Sequence, residues 1–383
     1  MALKTFINGS MVNLTPVGKP PVTFVNGTKK RLVKGVTFIN GSKVVLWDTN
    51  NLQIDYIDTT LANGATQVMT AFFANKNYVA YSYNNTVTRL EALNPASPTV
   101  DGQVSMGDVL GFSSVDSDGT TAVYYAKNVA SGTTTFNQLN VGVSTGSIVA
   151  ANSESYSSTW NIRALAYMGA WLNANGCGNS LTYRYIRVCS GESGLYNYQA
   201  VTTSGSLSGY IPGEPAFTKI DSNTLVGRLQ QYGGDTTIGE FTTSGYTAKS
   251  APTNYRDFLT DGNTVACAGG GGFGLYTRNT SGLYTEIATT ASIADHFERL
   301  IGKCRNHYYT VAYPTVAGGT FYLHIWDTNG TLVETVELTD LSYPSAEASA
   351  KYYIQLVFVP QVSQTGYLCF RGGANKIVRI QCY

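Results

Sequence analysis

The sequence predicts an all-β fold grown by repetition: a seven-bladed β-propeller closed by a strand from near the N-terminus and preceded by a short run of β-hairpins. Three observations carry that expectation. Charged residues make up only 13% of the 383 positions while Gly (40) and Tyr (27) are abundant, against about 25% charge in ordinary soluble domains. One hairpin-like stretch occurs twice, as KVVLWDTNNLQIDYIDTT at 43–60 and as FYLHIWDTNGTLVETVELTD at 321–340. From Gln67 onward a unit of four β-prone runs, separated by Gly, Asn, Asp or Ser, recurs seven times, the last without its fourth run.

The first 42 residues repeat a shorter motif: TFINGS from Thr5, TFVNGT from Thr23 and TFINGS from Thr37. Asn-Gly between β-prone residues is a strong hairpin signal, because both central residues of the tightest turn need positive φ. Pro16, Pro20 and Pro21 lie between the first and second copies and disfavour helix there. One Phe per hairpin buries little, and isolated hairpins are marginal. Residues 1–42 are therefore expected to dock on a partner, with Phe6, Asn8, Phe24, Asn26, Phe38 and Asn40 at the contact, or else to fold back on the main domain.

The second runs of the units align best, at 78–81, 122–125, 181–184, 225–228, 264–267, 308–311 and 366–369, with starts 44, 59, 44, 39, 44 and 58 residues apart. A four-stranded propeller blade takes roughly 40 to 50 residues, so two intervals need insertions. In the sixth unit the strands are expected at 296–303, 308–313, 321–326 and 332–338. The seventh, at 352–359, 366–370 and 376–381, runs out before a fourth strand. Residues 52–58 align with the outermost strand of the sixth unit. They can supply the missing strand, with Leu52, Ile54, Tyr56 and Ile57 sealing the ring and removing a sheet edge. The expected domains are thus 1–42 for docking and 43–383 for the propeller, with 43–60 as the closing region. A β-sandwich pair or a long β-prism is the structural alternative, and 292–302 and 345–350 tolerate helix.

The charge balance narrows the function. The 25 basic and 24 acidic residues nearly cancel, and no basic run exceeds Lys29–Arg31, so nucleic acid is not an expected partner. No stretch approaches about 18 continuous apolar residues, and MALKTFINGS lacks the pattern of a signal peptide. Six scattered cysteines without CxxC pairing argue against zinc. Cys267 and Cys369 read as buried thiols, and Cys177 with Cys189 is the pair most worth testing for a disulfide.

Chemistry is sparse. The three histidines are His296, His307 and His324, and no GxSxG elbow occurs. His324 alternates with Leu323 and Ile325 and reads as structural or surface. The Gly-rich run 268–274 lacks the Lys-Ser/Thr of a phosphate loop and suits a tight turn or close backbone approach. Asp116, Asp118, Glu154, Glu192, Glu214 and Asp235 are carboxylates that a glycosidase would need in convergence. Tyr56, Tyr83, Tyr156, Trp160, Tyr196, Tyr198, Tyr232 and Tyr255 fall in or near expected loops, where aromatic rings suit sugar or protein contact. No catalytic residue, cofactor or metal ligand is assigned.

The TF(I/V)NG(S/T) repeats at 5–42, the 43–47 lead-in and the Gly-, Thr-, Ser- and Tyr-rich β-domain together resemble bacteriophage or prophage virion proteins, particularly tail, baseplate or appendage components. The resemblance implies a non-enzymatic structural role in the virion, assembled in the host cytoplasm. It implies docking on other virion proteins through 1–42, homo-oligomerisation, and a propeller used in assembly or in contact with a host-surface glycan or protein, without membrane insertion. A propeller-fold carbohydrate-active enzyme or lectin is the alternative.

Overall fold

A computed structural model of the chain describes the backbone of strands between Leu3 and Gln381. It describes side chains at 52–56, 218–224, 226, 240, 249, 255, 257–270, 272–315, 318–338, 341, 362–363, 366–370 and 378–382. The chain divides into two compact units, Met1–Gln53 with Gln381–Tyr383, and Ile54–Ile380. No helix occurs among the described residues.

The first unit contains three antiparallel hairpins. Leu3–Ile7 pairs with Ser10–Leu14, Val22–Val25 with Thr28–Arg31, and Lys34–Ile39 with Ser42–Asp48. The registers Ile7↔Ser10, Val25↔Thr28 and Ile39↔Ser42 leave one Asn-Gly pair inside each hairpin, the loop length that pairing of Asn-Gly turns requires. The strand Ser42–Asp48 thus pairs backwards, with Lys34–Ile39, and not forwards across the Trp-Asp-Thr-Asn turn as its second copy does.

The second unit is a succession of antiparallel sheets, each made mostly by consecutive strands. The first runs through Gln67–Phe73, Lys76–Tyr83, Thr86–Glu91 and Thr99–Ser105. In the second, Gly111–Phe112 and Asp116–Ser117 share the edge of Thr121–Ala130, followed by Thr133–Gly142 and Ile148–Tyr156. The third comprises Trp160–Tyr167, Trp171–Cys177, Arg184–Cys189 and Tyr198–Val201. The fourth has Gly209–Tyr210 and Thr218–Asp221 on Thr224–Gln231, then Thr236–Thr242 and Gly245–Lys249. The fifth is Tyr255–Asp261, Thr264–Gly269, Gly272–Arg278 and Tyr284–Thr290; the sixth is His296–Cys304, His307–Pro314, Tyr322–Asp327 and Leu332–Glu337. A seventh sheet orders Tyr367–Arg371, Lys376–Gln381 and Gln53–Asp58.

Second strands begin at Lys76, Thr121, Trp171, Thr224, Thr264 and His307, and the described part of the seventh sheet begins at Tyr367. The third of these corrects the expected 181–184: the Trp171 run takes that place and Arg184–Cys189 becomes the third strand, which evens out the spacing between the third sheet and its neighbours. The strand expected at 296–303 is present, and the helix that 292–302 tolerates does not form. His296–Cys304 is a strand paired with His307–Pro314, with a bulge between Leu300 and Gly302. Leu300 and Ile301 are both buried while Ile293 stays 42% exposed, so the helical spacing of apolar residues does not coincide with the buried set, and sheet pairing wins. The stretches 345–350 and 352–359 lie outside the described residues.

Neighbouring sheets touch mainly through their first strands. Tyr255–Asp261 lies beside Thr218–Asp221 on one side and His296–Cys304 on the other, and His296–Cys304 also lies beside Tyr367–Arg371, which in turn approaches Gln67–Phe73. A short strand, Gln361–Ser363, pairs in parallel with Gly302–Cys304 and reaches both Tyr255–Asp261 and Gln67–Phe73. First strands of the first, fifth and sixth sheets therefore meet around it. Polar links between first strands recur at almost constant sequence separation: Thr218 with Thr260 (3.0 Å), Asp257 with Arg299 (2.6 Å) and Asp261 with Lys303, all 42 residues apart. A fixed offset between touching residues is what stacked copies of one unit produce.

The core between sheets five and six is aromatic. Phe273 stacks on Trp326 with centroids 4.7 Å apart, packed with Leu259, Ala266, Ala268 and Leu275 against Leu300 and Tyr308. Such pairs contribute about 0.5–1.5 kcal/mol beyond the area they bury. The Gly-rich run forms the hairpin within sheet five, with Gly269↔Gly272 in register. Gly272 has φ +96 and its backbone passes so close to Thr290 that a Cβ would stand 1.9 Å from the carbonyl oxygen, so only glycine fits.

Candidate functional site

Among the described residues, the polar side chains that could carry chemistry collect at or beside the joins between sheets. The most deeply buried set lies at the fifth and sixth. Asp257, on the first strand of sheet five, is fully buried. Its Oδ2 accepts hydrogen bonds from Arg299 Nε at 2.6 Å and from the Leu300 backbone N–H at 3.0 Å. Two residues from Leu300 along the same strand, Glu298 Oε1 lies 2.8 Å from His324 Nδ1, with both side chains 2% exposed. Tyr322 stacks beside His324, and Trp326 meets the imidazole edge-on while donating its indole N–H to Thr310 Oγ1 at 2.9 Å.

A carboxylate and an imidazole in contact can serve acid–base chemistry only where a reacting group can reach them. Glu298 and His324 are both buried in sheet six, where their contact ties His296–Cys304 to Tyr322–Asp327 across the strand between them. Glu298 Oε2, His324 Nε2 and Asp257 Oδ1 are buried without a hydrogen-bond partner.

The join between sheets four and five is built differently. Glu240 Oε1 accepts hydrogen bonds from Arg278 Nε (2.6 Å) and the Tyr284 hydroxyl (2.6 Å), Oε2 accepts from Arg278 Nη2 at 3.2 Å, and Lys249 Nζ lies 3.4 Å away. Burial pushes the Glu240 carboxyl up, but hydrogen bonds from Arg278 and Tyr284 and the charges of Arg278 and Lys249 outweigh it and hold the carboxyl below its ordinary value. Burial and the Glu240 contact push the Tyr284 hydroxyl up. In the seventh sheet, Asp55 Oδ2 accepts from Arg379 Nη2 at 2.7 Å, and the same guanidinium lies over the Tyr367 ring at 4.6 Å.

The turns after the third strands of sheets five and six share one construction. Asn279 Oδ1 accepts the N–H groups of Ser281 and Leu283, and Asp327 Oδ1 those of Asn329 and Thr331, all at 2.8–2.9 Å. Gly282 (φ +73) and Gly330 (φ +77) take the left-handed position. Hydrogen bonds from Thr331 and Asn329 hold the Asp327 carboxyl below its ordinary value.

The sequence-derived sites distribute as follows. Phe6, Phe24 and Phe38 occupy equivalent hairpin positions, opposite Met11, Lys29 and Lys43; Asn8, Asn26 and Asn40 lie outside the described residues. Leu52, Ile54 and Tyr56 are half-buried, and Ile57 belongs to the same strand, Gln53–Asp58, beside Lys376–Gln381. Asp116 and Glu154 fall in strands of sheet two, opposite Val123 and Phe136; Asp118, Glu192, Glu214 and Asp235 lie outside the described residues. Several aromatics expected in loops are in strands, among them Tyr83, Tyr156, Trp160 and Tyr198. Tyr255 is buried, edge-on to Tyr276, because it starts a first strand and faces the join with sheet four.

Cys267, Cys304, Cys369 and Cys382 are buried, and burial pushes the Cys369 thiol up to about 12. Cys189 is opposite Trp171 in the hairpin that Cys177 ends. Six residues separate these two positions, so the two cysteines stand ~20 Å apart along the strand, beyond the roughly 4.4–6.8 Å Cα spacing of a disulfide. Sequence reading overlooked Asp257, Arg299, Glu298 and Glu240. The 42-residue offset between Asp257 and Arg299 is the signal that would have paired two of them.

No family model and no curated protein matches the chain. Among solved structures, YCF48 from Cyanidioschyzon merolae aligns with a TM-score of 0.52 at 12% identity, over 86% of this chain and 98% of that one. A prolyl endopeptidase aligns at 0.47 and 8% identity over 73% of this chain, which spans 43% of the endopeptidase's length. An oligogalacturonate lyase in complex with manganese aligns at 0.41 and 13% identity, over 80% of this chain and 74% of that one. The first likeness is one of fold alone, and the other two are too distant to add to it. The fold is all-β, a succession of antiparallel sheets, and propeller-like.

Proposed function

We propose that this chain is a non-enzymatic structural protein of a bacteriophage or prophage particle. Its hairpin unit docks it to other virion proteins, and its sheets form a seven-bladed propeller that acts in assembly or meets a host-surface glycan or protein. The observation that carries the reading is the division of the chain into a hairpin unit and a separate unit of repeated sheets. A short segment of three hairpins that is compact apart from the main unit is suited to holding a partner.

The closed ring is supported by the order Tyr367–Arg371, Lys376–Gln381, Gln53–Asp58 in one sheet, by the Arg379–Asp55 ion pair, and by the approach of Tyr367–Arg371 to Gln67–Phe73. A non-enzymatic role is supported by Gln361–Ser363, which sets main chain where three first strands meet. That is the place where a propeller would otherwise offer a central site. It is further supported by ionisable side chains engaged in joining sheets.

The test is particle incorporation. Mass spectrometry of purified particles should find the full chain, and a variant lacking residues 1–50 should stay folded by circular dichroism yet be missing from particles. Absence of the full chain from particles would overturn the virion role; incorporation of the shortened chain would overturn docking through the hairpins. Deleting 52–58 should open the ring and lower the melting temperature far more than deleting 1–50.

A further inference from the structure

The near-neutral net charge conceals a partition. Seven of the 25 basic residues lie in the hairpin unit (Lys4, Lys19, Lys29, Lys30, Arg31, Lys34, Lys43), against one of the 24 acidic residues, Asp48. The unit of repeated sheets, Ile54–Ile380, carries 18 basic against 23 acidic residues. The hairpin unit is therefore strongly cationic and the unit of repeated sheets anionic.

The anionic unit also displays apolar surface. Its exposed large apolar side chains among the described residues include Leu283 (59%), Ile287 (43%), Leu332 (43%) and Val333 (50%). They lie in or beside Tyr284–Thr290 and Leu332–Glu337, the last strands of sheets five and six, which are sheet edges among the described residues. The same two strands carry exposed Glu286 and Glu334. The hairpins set apolar against basic positions across their strands: Phe24 is opposite Lys29 and Phe38 opposite Lys43. An acidic and apolar edge and a basic and apolar hairpin are complementary in both charge and surface type.

Building on the docking role proposed for the hairpins, we propose that one partner of the hairpin unit is a second copy of this chain, held at the acidic outer strands of its sheets five and six. Such a contact joins two different patches, so it repeats head to tail and gives a ring or a filament. It also limits dispersal of the exposed edges, which otherwise invite unspecific pairing. Nucleic acid is the less suited occupant, because no basic run exceeds Lys29–Arg31.

The experiment is sedimentation velocity of the full chain at low and high salt, with two charge-reversed full-length variants. One carries Lys29→Glu, Lys30→Glu and Arg31→Glu; the other carries Glu286→Lys and Glu334→Lys. The wild type should form concentration-dependent oligomers at low salt that dissociate as salt screens the contact. Each variant alone should sediment as a monomer with an unchanged circular dichroism spectrum, and mixing the two should restore association, since the reversed hairpin fits the reversed edge. A wild type monomeric at both salts, variants that associate like the wild type, or a mixture that stays monomeric would overturn the proposal. So would wild-type oligomers that form only with added duplex DNA. A monomeric chain that still enters particles would overturn this inference while leaving the virion role intact.

Discussion

Two neighbouring joins of the repeated unit solve one packing problem by different means. Between sheets five and six the contact is deeply buried: Phe273 on Trp326, with Asp257 and Arg299 paired inside at 0% and 3% exposure. Between sheets four and five it is a polar bracket at the margin, Glu240 (8%) holding Arg278 and Lys249, both 20% exposed. The turn of sheet six packs Gly330 where a Cβ would come within 2.5 Å of the Ala288 Cβ, whereas the equivalent Gly282 faces the mobile Lys249 ammonium at 2.9 Å. One repeat geometry is thus held rigidly on one side and adjustably on the other. Burying an ion pair makes each partner depend on the other, while a bracket with partial solvent access can rearrange.

That difference is measurable, and the buried pair should show it most. Asp257→Ala leaves the Arg299 charge without its carboxylate inside the protein and should cost about 3–5 kcal/mol in denaturant unfolding. The double variant Asp257→Leu with Arg299→Met should regain most of the loss. If the single variant were as stable as the wild type, the pair would not be holding the join.

Next in size is the glycine comparison. Gly330→Ala combines a left-handed residue with a clash against a side chain that cannot move away, and should cost about 2–3 kcal/mol. Gly282→Ala should cost about 1 kcal/mol, since the lysine tip can swing aside and only the backbone preference is lost. Equal losses would mean that the turns pack alike.

The smallest effect is expected at the bracket. Glu240→Gln should cost on the order of 1 kcal/mol and should remove part of the acid sensitivity. Because the folded carboxyl is held below its ordinary value, its contribution is present above the unfolded value and is lost as the pH falls through the folded one. The wild type should therefore lose stability on acidification more steeply than the variant. High salt should narrow the gap between them; the Asp257 variants should respond little to salt.

Much of the layout was legible in the chain because local rules agree with the fold. Asn8-Gly9, Asn26-Gly27 and Asn40-Gly41 pinned three hairpins, since few other dipeptides fit a two-residue loop. The Trp-Asp-Thr-Asn repeat announced a turn whose side-chain oxygen caps two N–H groups. Asn51 stands where Gly330 stands in the other copy, and both residue types tolerate the left-handed backbone. The same turn at Asn279 was less visible because Arg278-Asn279-Thr280-Ser281 shares only Thr and the final Gly with it.

What the sequence determined by itself is therefore the strand-and-turn grammar: an all-β chain of repeated meanders behind a set of hairpins. Alternation and turn chemistry act over a few residues and can be read locally. Only the tertiary structure decided that Ser42–Asp48 pairs backwards, that Trp171–Cys177 is the second strand of sheet three, and that Asp257 finds Arg299 across a join. Those outcomes depend on which surfaces meet when sheets stack. Burial then selects among local conformations of similar energy, and a carboxylate in a strand becomes part of the core because an arginine from the next repeat lies opposite it.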